Sequence, residues 1–168
     1  TVYINVTCSE NNVDTLEISI YDSGANLVDS ANTNADALEH TSIALADGTY
    51  QFMATCYDTA GNSGLGDTRT VTLDTIDPVV SFVSPTETNN SYLTTNEIKV
   101  NVSVSDVNYN NVTIFLYKSG VYNQNSTDLD TTFTGLDDGY YSFRALAYDK
   151  AGNSAFSEYR YVIVATTS

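Results

Sequence analysis

A twenty-residue phrase occurs twice in this chain of 168 residues. LADGTYQFMATCYDTAGNSG at residues 45–64 returns as LDDGYYSFRALAYDKAGNSA at residues 136–155, and twelve of the twenty positions are identical. The two copies start 91 residues apart, which is the length of a small domain rather than of a local motif. The chain is therefore predicted to contain one module twice, at residues 1–75 and 76–168.

Polar and apolar residues alternate along most of the chain, as they do in strands with one buried face. Residues 2–8 read VYINVTC, and residues 98–104 repeat the pattern as IKVNVSV. The segment closest to a helical pattern is DSANTNADALEH at residues 29–40, which is predicted to be a loop with at most one helical turn. Short alternating strands at this spacing predict an all-β fold of two tandem antiparallel β-sandwiches.

The repeated phrase is predicted to be a turn, a strand and a second turn. Its Asp-Gly pair favours a tight turn because glycine adopts positive φ at little cost. Tyr50 and Tyr141 follow two residues later, where a buried ring can return its hydroxyl to the backbone of the turn. The strand then ends in a hairpin loop, at residues 58–62 and 149–153.

The phrase resembles the "L-x-D-G-x-Y … D-x-A-G-N" signature of immunoglobulin-like and fibronectin type III-like repeats in archaeal and bacterial cell-surface proteins. VTLDTIDP at residues 71–78 is similar to the junction that ends such repeats. The resemblance covers nearly the whole chain and implies tandem immunoglobulin-like domains. It is not specific for function, because modules of this fold perform many functions. An extracellular structural and adhesive role is predicted from the repeat together with the placement of the cysteines, the acidic composition and the lack of a catalytic residue set.

The two copies differ at their start. The second copy has an entry segment with a candidate first strand at residues 79–83, whereas the first copy begins with its second strand. Two explanations stay open at this point. Either the chain is part of a longer array of repeats, or another copy of the protein supplies the strand and the subunits form a filament, because an open backbone edge invites pairing.

Cys8 and Cys56 are the only cysteines. They fall on the strands that immunoglobulin domains join across their two sheets, and the second copy has Val104 and Ala147 at these positions. The resemblance thus implies a disulfide and an oxidising compartment. Two buried free thiols are the alternative. A zinc site is disfavoured because two cysteines and one distant histidine do not supply four ligands.

The charge of the chain limits its partners. Six basic and twenty-one acidic residues give a net charge of −15, which opposes binding to nucleic acid or to anionic lipid. No apolar run is long enough to span a membrane, so membrane insertion is not expected. The predicted partners are other copies or neighbouring repeats of the same protein, with glycans as an alternative, and the predicted location is extracellular or at the cell surface.

Carboxylates and sequons are the remaining candidate sites. Asp74 and Asp77 lie in the junction segment and are candidate Ca²⁺ ligands, although Asp-Pro is also ordinary turn chemistry. No other cofactor is expected. Asn-x-Ser/Thr sequons are candidate glycosylation sites, at a frequency close to chance for this composition, and two of them are predicted to lie in accessible loops at positions 89 and 125. The candidates are Asn5, Asn89, Asn101, Asn111 and Asn125.

No residue set in the sequence suggests catalysis, so the chain is predicted not to be an enzyme. His40 is the only histidine and is predicted to lie in a polar loop, and no carboxylate pair stands out. Tyrosines on outer faces could stack on sugars or on a neighbouring subunit, which makes a carbohydrate-binding accessory module the rival function. Tyrosine is also simply a good strand former. The tyrosines concerned are Tyr21, Tyr57, Tyr117 and Tyr148.

Overall fold

A computed structural model describes residues 1–42 and 44–166. The chain divides into two compact units, domain 1 (Thr1–Asp74) and domain 2 (Thr75–Ser168). All the regular elements of the described residues are β-strands, which confirms the all-β prediction. These residues contain no helix that is long and apolar enough to cross a membrane.

The described part of domain 1 contains seven strands in two sheets. They are β1 (Val2–Thr7), β2 (Val13–Tyr21), β3 (Leu27–Thr33), β4 (Ala37–Ser42), β5 (Gly48–Asp58), β6 (Ser63–Leu65) and β7 (Arg69–Leu73). The first sheet pairs β1 with β4, and the second has the order β3-β2-β5, with β6 and β7 on the far edge of β5. All these pairings are antiparallel.

The described part of domain 2 contains nine strands, also in two sheets. They are β8 (Val79–Val83), β9 (Ser91–Leu93), β10 (Ile98–Ser105), β11 (Tyr109–Lys118), β12 (Val121–Ser126), β13 (Asp130–Phe133), β14 (Gly139–Asp149), β15 (Ser154–Phe156) and β16 (Arg160–Val164). The first sheet has the order β13-β10-β8, and the second β12-β11-β14-β16-β9, with β15 beside β14. β9 runs parallel to β16, and the other pairings are antiparallel.

Domain 2 repeats the arrangement of domain 1 and adds two strands. β1 corresponds to β10, β4 to β13, β5 to β14 and β7 to β16, with matching registers. The additional strands are β8, which pairs with β10, and β9, which pairs with β16. Within its described residues, domain 1 has no strand at either position. The first strand predicted at residues 79–83 is thus present in domain 2 and has no counterpart among the described residues of domain 1.

The additional strand β8 shields core residues of domain 2 from solvent, and their counterparts in domain 1 are more exposed. Phe143 and Ala145 on β14 are fully buried. Their counterparts on β5, Phe52 and Ala54, are only half-buried. In domain 2 the ring of Phe82 on β8 packs edge-to-face on Phe143, with 5.3 Å between the ring centroids. The same inward-facing residues thus differ in burial because one domain has a strand over them.

A tyrosine ties the loop before β5, and the one before β14, to the core. The hydroxyl of Tyr50 donates a hydrogen bond to the carbonyl oxygen of Ala46 at 2.9 Å. The hydroxyl of Tyr141 donates to the carbonyl oxygen of Asp137 at the same distance. Both rings are buried. Each domain therefore has the tyrosine corner that the repeated phrase predicts.

The prediction for residues 29–40 is wrong, because the segment forms most of β3 and of β4 rather than a loop. The half-buried positions of β3 hold Asp29, Ala31 and Thr33, so the strand has no apolar alternation in its sequence. The predicted loop position of His40 is also wrong, because it is a half-buried residue of β4. Its Nε2 lies 2.9 Å from Oδ2 of Asp29 and links β4 to β3.

Candidate functional site

Cys8 and Cys56 are joined by a disulfide. Cys8 follows β1 and Cys56 lies in β5, so the bond links the two sheets of domain 1. Val104 and Ala147 hold the corresponding places in domain 2 and pack there as apolar residues. Structural disulfides of this kind persist in secreted, cell-surface and periplasmic proteins.

An open groove of about 350 Å³ runs along the free edge of β1 in domain 1. Its walls are residues 3–7 of β1, residues 52–54 of β5, and Gly66, Asp67 and Arg69. Among the described residues, β1 pairs only with β4, which lies on its other side. The groove therefore exposes a strand edge, and unpaired edges are templates for a further strand.

The backbone N–H groups of Asn5 and Thr7 point into this groove. The N–H of Cys8 donates to the carbonyl oxygen of Asp36 at 2.8 Å, on the β4 side of the strand. Successive residues of a strand direct their N–H groups to opposite edges. Asn5 and Thr7 therefore face away from β4 and offer their N–H and carbonyl groups to the groove.

In domain 2, β8 fills the equivalent place beside β10. The ring of Phe82 lies at its centre, with its centroid 5.3 Å from that of Phe143 and 4.9 Å from the guanidinium carbon of Arg160. The N–H of Asn101, the counterpart of Asn5, is satisfied by Oγ1 of Thr86 at 2.8 Å. The edge of β10 is thus covered by β8 in domain 2, and the equivalent edge of β1 is open in domain 1.

A connected row of tyrosines, the tyrosine row, covers the outer face of the larger sheet in domain 2. Tyr140 stacks on Tyr161 and Tyr161 on Tyr159, with ring centroids 5.8 and 6.1 Å apart. Tyr117 continues the row, with its centroid 6.4 Å from Tyr159 and 6.4 Å from Tyr122. The rings of Tyr122, Tyr140 and Tyr159 are exposed. The row therefore offers an aromatic surface to solvent.

Arg144 lies among these rings. Its guanidinium carbon is 3.8 Å from the ring centroid of Phe156 and 4.7 Å from that of Tyr159. Such contacts attract a cation to the face of an aromatic ring. The arginine therefore packs on the middle ring of the tyrosine row and brings a positive charge to it.

Domain 1 shows that the fold does not require the tyrosine row. Threonine forms strands as readily as tyrosine does. The counterparts of Tyr140, Tyr159 and Tyr161 in domain 1 are Thr49, Thr68 and Thr70. This difference is visible in the sequence, because these three outward tyrosines stand where the other copy has threonines.

Most of the tyrosines that the sequence suggests as outer-face candidates lie outside the tyrosine row. Of these, Tyr117 alone belongs to the tyrosine row. Tyr57 and Tyr148 are exposed on the outer faces of β5 and β14, at equivalent positions, and Tyr21 is half-buried. Among the described residues, the largest connected group of aromatic rings is therefore the tyrosine row, and three of the four tyrosines named from the sequence lie outside it.

The hairpin loops that follow β5 and β14 are organised by a carboxylate. Oδ1 of the buried Asp149 accepts hydrogen bonds from the N–H groups of Gly152 and Asn153, at 2.7 and 2.8 Å. Burial alone would raise the pKa of this carboxyl, but the hydrogen bonds from Asn153 and Gly152 outweigh burial and lower it. In domain 1 the pKa of Asp58 is lowered mainly by the hydrogen bond from the Asn62 side chain. Both loops have the contacts of Asx-type turns.

The predicted glycosylation and calcium sites are spread over both domains. Asn5, Asn89, Asn111 and Asn125 are exposed, whereas Asn101 is half-buried on β10. The predicted loop position of Asn125 is wrong, because the residue lies in the polar edge strand β12. Glycosylation stays a prediction for all the sequons.

Asp74 and Asp77 belong to different units of the chain. Asp74 is the last residue of domain 1 and is half-buried. Asp77 lies just before β8 in domain 2 and is exposed. Calcium binding at these carboxylates stays a prediction.

Family models match both domains. One, described as a bacterial Ig-like domain, matches residues 3–75, and a second with the same description matches residues 86–164. The chain is thus a tandem pair of bacterial immunoglobulin-like domains, as the repeated phrase indicates. Domains of this class are typically non-catalytic and act as structural or accessory modules.

Solved structures of fibronectin-type chains are similar in fold. The FN1–FN3 domains of chicken CNTN1 are 14% identical with a TM-score of 0.50, over 96% of this chain and 61% of that one. Fibronectin(III)-like modules of Clostridium thermocellum CbhA are 20% identical with a TM-score of 0.43, over 96% and 84% of the two chains. At these identities the likeness concerns the fold alone. No curated protein sequence matches the chain.

Proposed function

We propose that the chain is an extracellular structural and adhesive module pair of a surface or filament protein, without catalytic activity. The observation that carries this proposal is that the residues common to the two domains are structural. Their common residues are core positions, the tyrosine corner and the Asx-type loops, and these residues serve the fold rather than a reaction. A repeated domain whose common residues are all structural can act as a spacer and can present its outer surface to partners.

Two properties support an extracellular location. The Cys8–Cys56 disulfide is of the kind that persists outside the reducing cytosol. The net charge of −15 keeps an exposed protein soluble through self-repulsion.

Antibodies raised against the folded chain test the location. They should label intact cells of the source organism, and protease treatment of intact cells should remove the label. Labelling that requires permeabilised cells would contradict the proposal. An antibody against a cytosolic protein of the same cells serves as the control.

A strand-accepting role is a second candidate, and the groove along β1 favours it. A strand donated by another copy would pair with the N–H and carbonyl groups of Asn5 and Thr7 and would join subunits into a filament. Such a role needs an open strand edge, and β1 has one on the side away from β4. The two domains differ in this respect.

Electron microscopy with an edge-blocking variant tests this second role. Fibres of regular width are expected from the purified, non-reduced chain. Thr7→Pro should abolish them, because proline removes an N–H group that faces the groove and is tolerated on edge strands. Thr7→Ser is the matched control and should still form fibres. Isolated particles from the unaltered chain would contradict strand donation between copies.

Carbohydrate binding is a third candidate, and it is favoured by the tyrosine row. Aromatic rings present apolar faces with a polar tip, which suits the faces of sugar rings. Selective binding on a glycan array should be lost when Tyr140 and Tyr161 are replaced by threonine, the residue that domain 1 has there. Tyr92→Thr, which alters a ring outside the row, should leave binding unchanged. Binding that survives the double replacement would rule out the row as the site.

A further inference from the structure

The groove of domain 1 has on its walls the side chains that hold an aromatic ring in domain 2. Phe52 corresponds to Phe143, and Arg69 corresponds to Arg160. The two pairs have the same register, since Phe52 faces Arg69 across β5 and β7 as Phe143 faces Arg160 across β14 and β16. In domain 2, these two side chains contact the ring of Phe82.

The backbone beside the ring position is also the same in the two domains. The N–H of Gly66 donates to the carbonyl oxygen of Ala54 at 2.8 Å. The N–H of Ser157 donates to the carbonyl oxygen of Ala145 at 2.8 Å. The segment between the short strand and the last strand thus runs in the same way against the long strand in both domains, and it forms the same wall.

The apolar residues at the floor of the groove correspond to residues that β8 covers in domain 2. Val102, opposite Phe82 in the β8 pairing, is buried together with Phe143. The counterparts Val6 and Phe52 are half-buried and line the groove. A strand with a large apolar side chain at this point would remove both from water.

We propose that this groove binds an extended strand donated by another copy of this chain. The strand runs antiparallel to β1 and carries an aromatic residue opposite Val6. The register of β8 on β10, moved to β1, also places an apolar residue of the strand opposite Cys8. The ring lies between Phe52 and the guanidinium group of Arg69. This inference rests on the strand-accepting role proposed above and specifies the chemistry of the strand.

A synthetic peptide tests the proposal on the full, non-reduced chain. The peptide IDPVVSFVSPT, residues 76–86 of this chain, is titrated against the isotope-labelled protein while the amide signals of Asn5 and Thr7 are followed by NMR. Saturable shifts are expected at these amides. A peptide with Phe82→Ser should bind at least ~30-fold more weakly, because it does not bury an aromatic side chain.

A variant of the protein tests where the ring lies. Arg69→Gln should weaken binding of the phenylalanine peptide roughly two- to five-fold, the range expected for a cation–π contact at an exposed site, and should leave the serine peptide unaffected. Arg69 is exposed, so the variant should fold. Lys150→Gln, which removes a positive charge from a loop of domain 2, is the matched control and should bind as the unaltered chain does.

The outcomes separate this inference from the role on which it rests. Equal binding of the two peptides would leave strand acceptance in place and would overturn the aromatic preference. Binding of neither peptide would overturn both. A preference for phenylalanine that persists undiminished in Arg69→Gln would contradict the placement of the ring against Arg69.

Discussion

Tyr50 and Tyr141 show, at the scale of single residues, how one side chain fixes a loop to a core. Their hydroxyl groups bond to backbone oxygens four residues earlier, which is a local contact, and the D-G-x-Y pattern therefore predicts it from the sequence. The tyrosine row could not be predicted in this way. Two of its ring contacts, Tyr117–Tyr159 and Tyr140–Tyr161, join residues that are far apart in the chain, and these contacts depend on the strand order of the sheet.

Removing the corner hydroxyl should destabilise one domain at a time. Tyr141→Phe should lower the free energy of unfolding of domain 2 by about 1 kcal/mol, the usual net value of one hydrogen bond. Tyr50→Phe should do the same for domain 1. Urea titrations followed by the amide signals of each domain would measure both effects. Tyr92→Phe, on an exposed ring, should change neither, and an equal loss in both domains would contradict the local account.

The Asp149 carboxylate should make domain 2 sensitive to acid. Its pKa in the folded state is below the ordinary value of 3.8, so the ionised form stabilises the domain above that pH. This stabilisation is lost as the pH falls through the folded-state pKa. Asp149→Asn should therefore flatten the pH dependence of the free energy of unfolding of domain 2 below about pH 4. Asp128→Asn is the control, and a flattening of equal size there would argue against a special role for Asp149.

At the scale of elements, strands β3 and β4 could not be predicted from the sequence. The strands that bury one face on the core are visible as alternation, and residues 2–8 and 98–104 are examples. β3 is an edge strand, and its less exposed positions hold Asp29, Ala31 and Thr33, so its sequence has no apolar period. Its existence depends on pairing with β2, which is information that lies outside the segment.

Strand β8 should contribute to the stability of domain 2 chiefly through Phe82. The ring is half-buried and contacts Phe143 and Arg160. Phe82→Ala should lower the free energy of unfolding of domain 2 by roughly 2 kcal/mol, which is less than the usual cost at a fully buried site. Chemical denaturation of the non-reduced chain measures it, with Tyr92→Ala as the control. A change below about 0.5 kcal/mol, the usual size of a surface substitution, would mean that β8 is a marginal strand.

At the scale of the whole molecule, the two domains should respond differently to reduction. The disulfide closes a loop with a sequence separation of 48 residues in domain 1, and domain 2 has Val104 and Ala147 instead. Loop-closure entropy predicts a loss of about 4 kcal/mol from domain 1 on reduction, with domain 2 unchanged. The double variant Cys8→Val, Cys56→Ala imitates domain 2 and should lose less, because it restores apolar packing. Loss of both domains together on reduction would contradict this prediction.

The difference between an open and a covered edge is the central claim, and amide hydrogen exchange tests it most directly. On the non-reduced chain, at a concentration where it is monomeric, Asn5 and Thr7 should exchange within about tenfold of the unfolded rate, since their N–H groups face the groove. Their counterparts in domain 2, Asn101 and Ser103, face β8 and should exchange at least ~100-fold more slowly. Equal protection of the two pairs would mean that the edge of β1 is not free, and strand acceptance by domain 1 would lose its physical basis.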